Sequence, residues 1–135
     1  MKTIRFLSMA EVLLIYEDQI RRYGGIYGIR DTALLSSALA LPESRYAGEY
    51  LHLGIPEMAA AYAYHISENH PFIDGNKRAA LASALVFLDI NGYEFDCDDD
   101  VLYNTMMSVA KGEMSKERLT TFFKKYAELL LFEGR

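Results

Sequence analysis

The stretch His70-Pro71-Phe72-Ile73-Asp74-Gly75-Asn76-Lys77-Arg78 decides how this chain folds and what it can bind. It lies between an alanine-rich segment and a long apolar segment, both with helical periodicity, and so predicts a helix–loop–helix. This short run contains an imidazole, a carboxylate, a glycine, an amide and two cations. A site that holds a polyphosphate and deprotonates a hydroxyl beside it requires such groups.

The start of the second helix is the predicted anion site. A helix N-terminus presents unpaired backbone N–H groups and the positive end of the helix dipole. Gly75 permits a positive φ angle and close approach of a ligand, and Lys77 and Arg78 add positive charge. The segment therefore predicts a phosphate cradle, in which the Asn76 amide either orients a phosphate oxygen or braces the loop.

The residues before the cradle are candidates for the chemistry. Asp74 is placed to hold a magnesium ion that bridges two phosphates. His70, at the end of the first helix, is a candidate general base. Pro71 and Phe72 are interpreted as a stiff turn and an aromatic anchor in the core. The residues alone leave an ordinary reading open, because histidines often end helices and Asp-Gly-Asn is a common turn sequence.

The rest of the chain indicates a mainly helical protein. Ser8 and Glu11 form a capping box, and Asp31 precedes a second apolar run. Residues 43–54 lack helical periodicity and predict an ordered loop or small hairpin. Tyr93-Glu94-Phe95 predicts a short strand, expected to pair with residues 3–6. We expect six helices in one all-α domain over residues 1–135, a compact bundle with at most a small β-hairpin or flap. The helices are expected after the Ser8 cap to Tyr23, after the Asp31 cap to the residue before Pro42, from Pro56 toward Asn69, from Asn76 or Lys77 to Asn91-Gly92, from Asp98 to Lys111 and from Ser115 to Leu131.

Composition narrows the function classes. The chain has 135 residues and a formal net charge of −5. This charge disfavours direct binding to nucleic acid or to an anionic membrane. Cys97 is the single cysteine, so no internal disulfide can form, and no apolar run is long enough to span a bilayer. We therefore expect a cytoplasmic protein with no membrane association.

The central stretch resembles the signature of the Fic/Doc (Fido) superfamily, H-P-F-x-[DE]-G-N-[GK]-R. The similarity extends to Tyr23-Gly24-Gly25, to Gly28-Ile29-Arg30-Asp31 and to Asn91-Gly92, so it covers most of the chain. Chain length and these segments are similar to death-on-curing (Doc) toxins. The resemblance implies the helical Fido fold and a nucleotide-dependent transferase that modifies a protein.

Two positions distinguish the Doc-like subgroup. Adenylyl-transferring members usually have glycine where this chain has Lys77, and a second arginine where it has Leu81. The resemblance thus implies a protein kinase that moves the γ-phosphoryl group of ATP, with Mg²⁺, to a threonine or serine hydroxyl. The founding member acts on elongation factor Tu, which implies a translation factor as target. Adenylyl transfer and a catalytically silent nucleotide-binding or partner-binding module remain the alternatives.

The resemblance also implies residue roles. His70 would be the general base, Asp74 the metal ligand, and Arg78 the group that stabilises charge developing during transfer. Phosphates would be bound by Gly75, Asn76, Lys77 and Arg78. A flap within residues 45–53 would pair with the target's backbone; its candidate residues are Arg45, Tyr46, Tyr50 and Leu51.

Many superfamily members inhibit themselves through the pattern [ST]-x-x-x-E-[GN]. Neither possible match in this chain is complete, because Leu129 precedes Glu133-Gly134 and Tyr64 precedes Glu68-Asn69 at the required position. We therefore expect inhibition by a separate antitoxin protein.

Overall fold

The computed structural model describes residues 3–130, which form six α-helices and two small antiparallel sheets. The Glu133-Gly134 pair and the predicted helix end at Leu131 lie outside these residues. No helix in the described range is long and apolar enough to cross a membrane. The elements in chain order are α1 (Met9–Tyr23), α2 (Thr32–Ala40), β1 (Arg45–Tyr46), β2 (Glu49–Tyr50), α3 (Ile55–Asn69), α4 (Asn76–Ile90), β3 (Tyr93–Phe95), α5 (Asp99–Ala110), α6 (Lys116–Tyr126) and β4 (Ala127–Leu129).

Side-chain caps fix the starts of three helices. The Ser8 hydroxyl accepts a hydrogen bond from Glu11 N–H, and the Glu11 carboxylate accepts one from Ser8 N–H, so the predicted capping box is confirmed. Asp31 caps α2 in the same way by accepting from Leu34 N–H. Ser115 caps α6 through Arg118 N–H. These caps satisfy backbone donors that a helix start leaves unpaired.

Helices α3 and α4 form the predicted helix–loop–helix, joined by the His70–Gly75 loop, and lie at the centre of the bundle. Their buried faces are rich in alanine, which allows two helices to approach closely. Larger side chains from the surrounding helices complete the core, including Tyr16, Leu35, Phe123 and Val109. The fully buried alanines of the pair are Ala59, Ala60, Ala61, Ala63, Ala79, Ala80 and Ala84.

The predicted pairing of the Tyr93–Phe95 strand with residues 3–6 was wrong. Strand β3 pairs with β4, with Tyr93 opposite Leu129 and Phe95 opposite Ala127. The N-terminal segment contacts the end of α4 through a side chain: Asn91 accepts from Arg5 N–H and donates to Arg5 C=O, both at 3.0 Å. The Asn91 amide thus takes the backbone groups that the predicted strand pair required.

The last predicted helix was also too long. Helix α6 ends at Tyr126, and the chain continues as β4 to Leu129. Residues with good helix propensity follow Tyr126, but their backbone groups pair with β3 instead. Tertiary pairing therefore overrides local preference at this end of the chain.

Residues 43–54 contain the small hairpin that was one of the two expected forms. Arg45 lies opposite Tyr50, and Tyr46 lies opposite Glu49. The turn residues Ala47 and Gly48 have φ values of 55° and 84°, the left-handed conformations of a tight hairpin turn. Tyr50 packs on Phe6 at 5.7 Å between ring centroids, which fixes the hairpin to the body of the protein.

Two histidines lie beside Lys116 between α3, α6 and the residues after the hairpin. His52 Nε2 is 2.8 Å from Lys116 Nζ, while His52 Nδ1 and His65 Nε2 are buried without a partner among the described residues. Burial lowers the pKa of His65 to about 4, and the positive charge of Lys116 contributes in the same direction. His65 is therefore neutral in the folded protein near neutral pH.

We predict that the free energy of unfolding falls as the pH drops from about 6.5 to about 4. Unfolded His65 binds a proton near its ordinary pKa of 6.5, whereas folded His65 binds one only near 4. The unfolded state therefore holds more protons in this window, and acid favours it. Urea unfolding of wild type and His65→Gln at several pH values checks this. The difference between the two should change across the window, and a constant difference would contradict the prediction.

Candidate active site

His70 has a backbone conformation that is unusual for a residue with a side chain. It follows the last residue of α3 with φ 52° and ψ 54°, in the left-handed region, and its N–H donates to Ile66 C=O. Such a conformation costs about 1–3 kcal/mol and persists only where neighbouring contacts impose it. It turns the chain sharply out of α3, and the imidazole is exposed at the turn.

Asn76 braces the loop between the two central helices. Its Oδ1 accepts from Phe72 N–H and its Nδ2 donates to Phe72 C=O, both at 2.9 Å. The side chain is buried, and both ends of the amide are used. Of the two roles predicted for this side chain, the geometry matches the brace. Its backbone N–H at the start of α4 has no acceptor among the described residues.

Asp74 is held by two backbone N–H groups. Oδ1 accepts from Gly75 N–H at 2.8 Å, and Oδ2 accepts from Ile26 N–H at 3.1 Å. These two hydrogen bonds are the main reason that the pKa of Asp74 lies below its usual value, and the charges of Arg78 and Lys77 lower it further. Asp74 is therefore an ionised carboxylate with a fixed direction.

The segment between α1 and α2, residues 24–31, lies along the motif and is hydrogen-bonded to it. Arg30 N–H and Asp31 N–H both donate to Pro71 C=O, at 2.7 and 3.0 Å. Ile73 N–H donates to Gly28 C=O at 2.9 Å. The backbone of one segment thus fixes the backbone of the other on both sides of Phe72.

Tyr16 connects this pair of segments to the core. Its ring stacks on Phe72 with 3.7 Å between centroids, and both rings are fully buried. Its hydroxyl lies 3.1 Å from both Gly28 N and Gly28 O, so it accepts from one and donates to the other. A helix far from the motif in sequence therefore sets the position of the motif.

Two glycines are required by close contacts. A Cβ on Gly25, whose φ is +116°, would lie 2.7 Å from Asp74 Oδ2 and 3.0 Å from Arg78 Nη2. A Cβ on Gly75, whose φ is +80°, would lie 3.0 Å from Ile20 Cδ1. A side chain at either position would displace the groups that shape the site.

One pocket, with a volume of about 260 Å³, lies over the N-terminus of α4. The structure brings five of the predicted site residues to its wall. The N–H groups of Asn76, Lys77 and Arg78 have no acceptor among residues 3–130, as expected at a helix start. Lys77 is exposed and supplies positive charge at the rim. The residues that line the pocket are Ser67, His70, Ile73, Asp74, Gly75, Asn76, Lys77 and Ala110.

Arg78 is not among the residues that line this pocket. Its Nη1 donates to Gln19 C=O at 3.3 Å, and its Nη2 lies beside Gly25. A phosphate contact by Arg78 stays a prediction. Of the predicted flap residues, Arg45 donates to the Tyr50 hydroxyl at 2.8 Å, while Tyr46 and Leu51 are exposed.

Sequence reasoning assigned no role to several residues that shape the site. Tyr16 and Gly25 act through contacts with distant parts of the chain, and Arg30 donates to backbone carbonyls at the end of α3. The Gly24-Gly25 and Gly28-Ile29-Arg30-Asp31 runs were not predicted to contact the motif. Their unusual density of glycine was the available signal for a close backbone approach.

The pocket has groups that suit a magnesium–nucleotide complex. Asp74 is its one carboxylate, and no group of three or more metal-ligating side chains occurs among the described residues. Mg²⁺ typically takes one or two carboxylates and completes its shell with water and phosphate oxygens. A single ionised Asp74 beside free N–H donors therefore fits an ion that arrives with a polyphosphate.

Comparison with known proteins points to one family. The model of the Fic/DOC family matches residues 6–88. The chain is 33% identical over 112 residues to the protein kinase doc of Escherichia phage P1, covering 83% of this chain and 87% of that protein. It is 39% identical over 79 residues to the toxin Doc of Mycolicibacterium smegmatis, covering 58% of this chain and 61% of that protein.

We predict that Asn76→Ala lowers the free energy of unfolding by about 2–4 kcal/mol. The substitution removes two buried hydrogen bonds and leaves Phe72 N–H and C=O without partners, and each unpaired buried group costs about 1–3 kcal/mol. Urea unfolding followed by circular dichroism measures the change. Asn104→Ala, at an exposed position of α5, is the matched control and should change stability by less than about 0.5 kcal/mol. Equal effects of the two substitutions would contradict the proposed brace.

Proposed function

Because the chain belongs to the Fic/DOC family, we propose that it is a Doc-like toxin that transfers the γ-phosphoryl group of ATP to a serine or threonine hydroxyl of a protein. The observation that carries this proposal is the pocket in which His70, Asp74 and Lys77 meet the free N-terminus of α4. It combines a base, a metal-binding carboxylate and an anion cradle within one cavity.

The N-terminus of α4 binds the phosphates in this proposal. Its unpaired N–H groups and helix dipole attract anions, and Gly75 allows phosphate oxygens to come close to the backbone. Lys77 adds a mobile cation at the rim of the pocket. Asp74 and the phosphates would hold Mg²⁺, which supplies positive charge to offset the charge on the transferring group.

His70 acts as the general base. The target hydroxyl lies between the imidazole and the γ-phosphorus, and its oxygen attacks the phosphorus as the bond to the ADP oxygen breaks. The hydroxyl proton passes to His70, and ADP leaves with the bonding electron pair. The exposed position of His70 at the turn leaves its ring accessible to a protein substrate.

Two residues favour phosphoryl transfer over adenylyl transfer. Lys77 projects a side chain at the pocket where a glycine would leave room for more of the nucleotide. Leu81 stands where adenylyl-transferring members have the second arginine. Its side chain is uncharged and packs against the core, so it cannot contribute charge to the phosphates. The cradle therefore has less room and one fewer cation, as expected of the Doc-like subgroup.

The β1–β2 hairpin is the proposed flap for the target. It has only two strands, and no third strand pairs with it among residues 3–130, so its outer edges have backbone groups for an extended peptide. Tyr46 is 77% exposed and Leu51 is 58% exposed, which leaves side chains for target contact. A translation factor such as elongation factor Tu is the proposed target, by similarity to the family's founding member.

The proposed regulator is a separate antitoxin protein. Within the described residues, the pocket is lined by the loop and by the ends of α3, α4 and α5, with no inhibitory glutamate among them. Control of the activity then requires a second protein that covers the pocket or the flap. Isolation of a stable complex with a small unrelated protein would support this part of the proposal.

We predict that the protein transfers label from ATP carrying labelled γ-phosphate, and not from ATP labelled in the adenine, to a protein in cell lysate. Purified elongation factor Tu, incubated with the same labels, tests the proposed target. Transfer of adenine label would establish adenylyl transfer instead, and no transfer with either label would support a silent binding module.

Two variants make this assay specific. His70→Ala should reduce the rate by at least about a hundredfold, because general-base catalysis contributes about that much or more. Glu68→Ala, an exposed neighbour that does not line the pocket, should retain the rate of the wild type. A His70→Ala protein with full activity would exclude His70 as the base.

A further inference from the structure

We propose that Arg30 is a positioning residue that sets the direction of the His70 imidazole. This inference rests on the proposed role of His70 as the base. Arg30 lies outside the pocket lining, on the segment between α1 and α2. It is an exposed residue, yet its guanidinium donates through Nε and Nη2 to backbone carbonyls of the protein.

Arg30 donates hydrogen bonds to the backbone of His70 and of its two neighbours in sequence. Its Nε donates to His70 C=O at 2.7 Å, and its Nη2 donates to Asn69 C=O at 3.0 Å. Its own N–H donates to Pro71 C=O at 2.7 Å. One residue therefore binds three consecutive carbonyls, and His70 is the middle one.

His70 depends on the hydrogen bonds from Arg30, because a histidine followed by a proline disfavours the left-handed backbone conformation that His70 adopts. A residue with a side chain avoids positive φ, and a residue before proline is biased toward extended backbone. His70 is both, and it has φ 52°. If the chain relaxed toward the extended form, the Cα–Cβ bond would point in a different direction and the imidazole would leave the pocket.

The geometry of the guanidinium suits this task. Arginine presents its N–H donors in a rigid planar fork, so it fixes two acceptors relative to each other. Here the acceptors are the last carbonyl of α3 and the carbonyl of the residue that leaves it. The negative end of the α3 dipole also attracts the positive charge. A lysine could reach one carbonyl but could not hold the pair in a fixed orientation.

A purely structural role for Arg30 predicts different behaviour. In that case its loss would lower stability and affect every property of the site in proportion to the unfolded fraction. A positioning role predicts that the folded variant keeps nucleotide binding at α4, because the cradle does not contact Arg30, and loses turnover. It also predicts a change in the conformation of His70 in the folded variant.

The test compares Arg30→Met and Arg30→Lys with wild type. Arg30→Met should fold, lower kcat for transfer by about ten- to a hundredfold, and change KM for ATP by less than about threefold. Arg30→Lys should recover part of the lost kcat, since it restores one donor. Arg21→Met is the matched control, because Arg21 is also an exposed arginine, and among residues 3–130 it pairs with Asp18 alone; its kcat should equal that of wild type.

A second measurement needs no activity. The chain has three histidines, so its histidine ring signals can be resolved by NMR and assigned with His70→Ala. In Arg30→Met the ring signal of His70 should shift, while those of His52 and His65 should stay in place. Should the wild type transfer no label, the proposed function fails and this measurement still decides whether Arg30 sets the conformation of His70.

Several results would overturn the inference. An Arg30→Met protein with unchanged kcat and an unchanged His70 signal would do so. Unfolding of both Arg30→Met and Arg30→Lys would assign a structural role and reject the positioning role. A loss that appears in KM for ATP rather than in kcat would show that Arg30 acts on the cradle instead.

Discussion

The stack of Tyr16 on Phe72 is the contact on which the site depends. Phe72 sits in the middle of the loop between the two central helices, and burying its ring anchors that loop in the core. The hydroxyl of the same tyrosine binds Gly28, which aligns residues 24–31 along the motif. The direction of Asp74 and the turn at His70 both follow from this alignment. An aromatic pair in the core thus fixes the loop between the two central helices.

Sequence patterns predicted the parts of the molecule that local interactions decide. Ser8 and Asp31 mark helix starts because a cap and its partner lie within one turn. The start of α4 after Gly75 was predictable because a glycine ahead of an apolar helical run favours a helix start there. Anion binding at this helix start stays a prediction. The resemblance of the central stretch to the Fic/Doc signature predicted the family, and the comparisons confirmed it.

Long-range contacts account for what the sequence could not predict. Arg30 and His70 are 40 positions apart, and no local pattern relates them. Strand β3 pairs with Ala127–Leu129 and not with residues 3–6. The N–H and C=O of Arg5 are hydrogen-bonded to the Asn91 side chain instead. The Asn76 side chain had two reasonable roles, and only the position of Phe72 distinguished them. In each case the deciding partner is brought close by the fold alone.

The alanine faces of α3 and α4 link the chemistry to the packing. His70 follows the last residue of α3, and the unpaired N–H groups lie at the first turn of α4, so the packing of these two helices sets how far apart they are. That separation is set by the smallest side chains that can be buried between them. Substitutions on these faces would widen the gap and weaken the core together. A larger side chain on either face should therefore change the thermal stability of the protein and the position of His70 relative to the start of α4 at the same time.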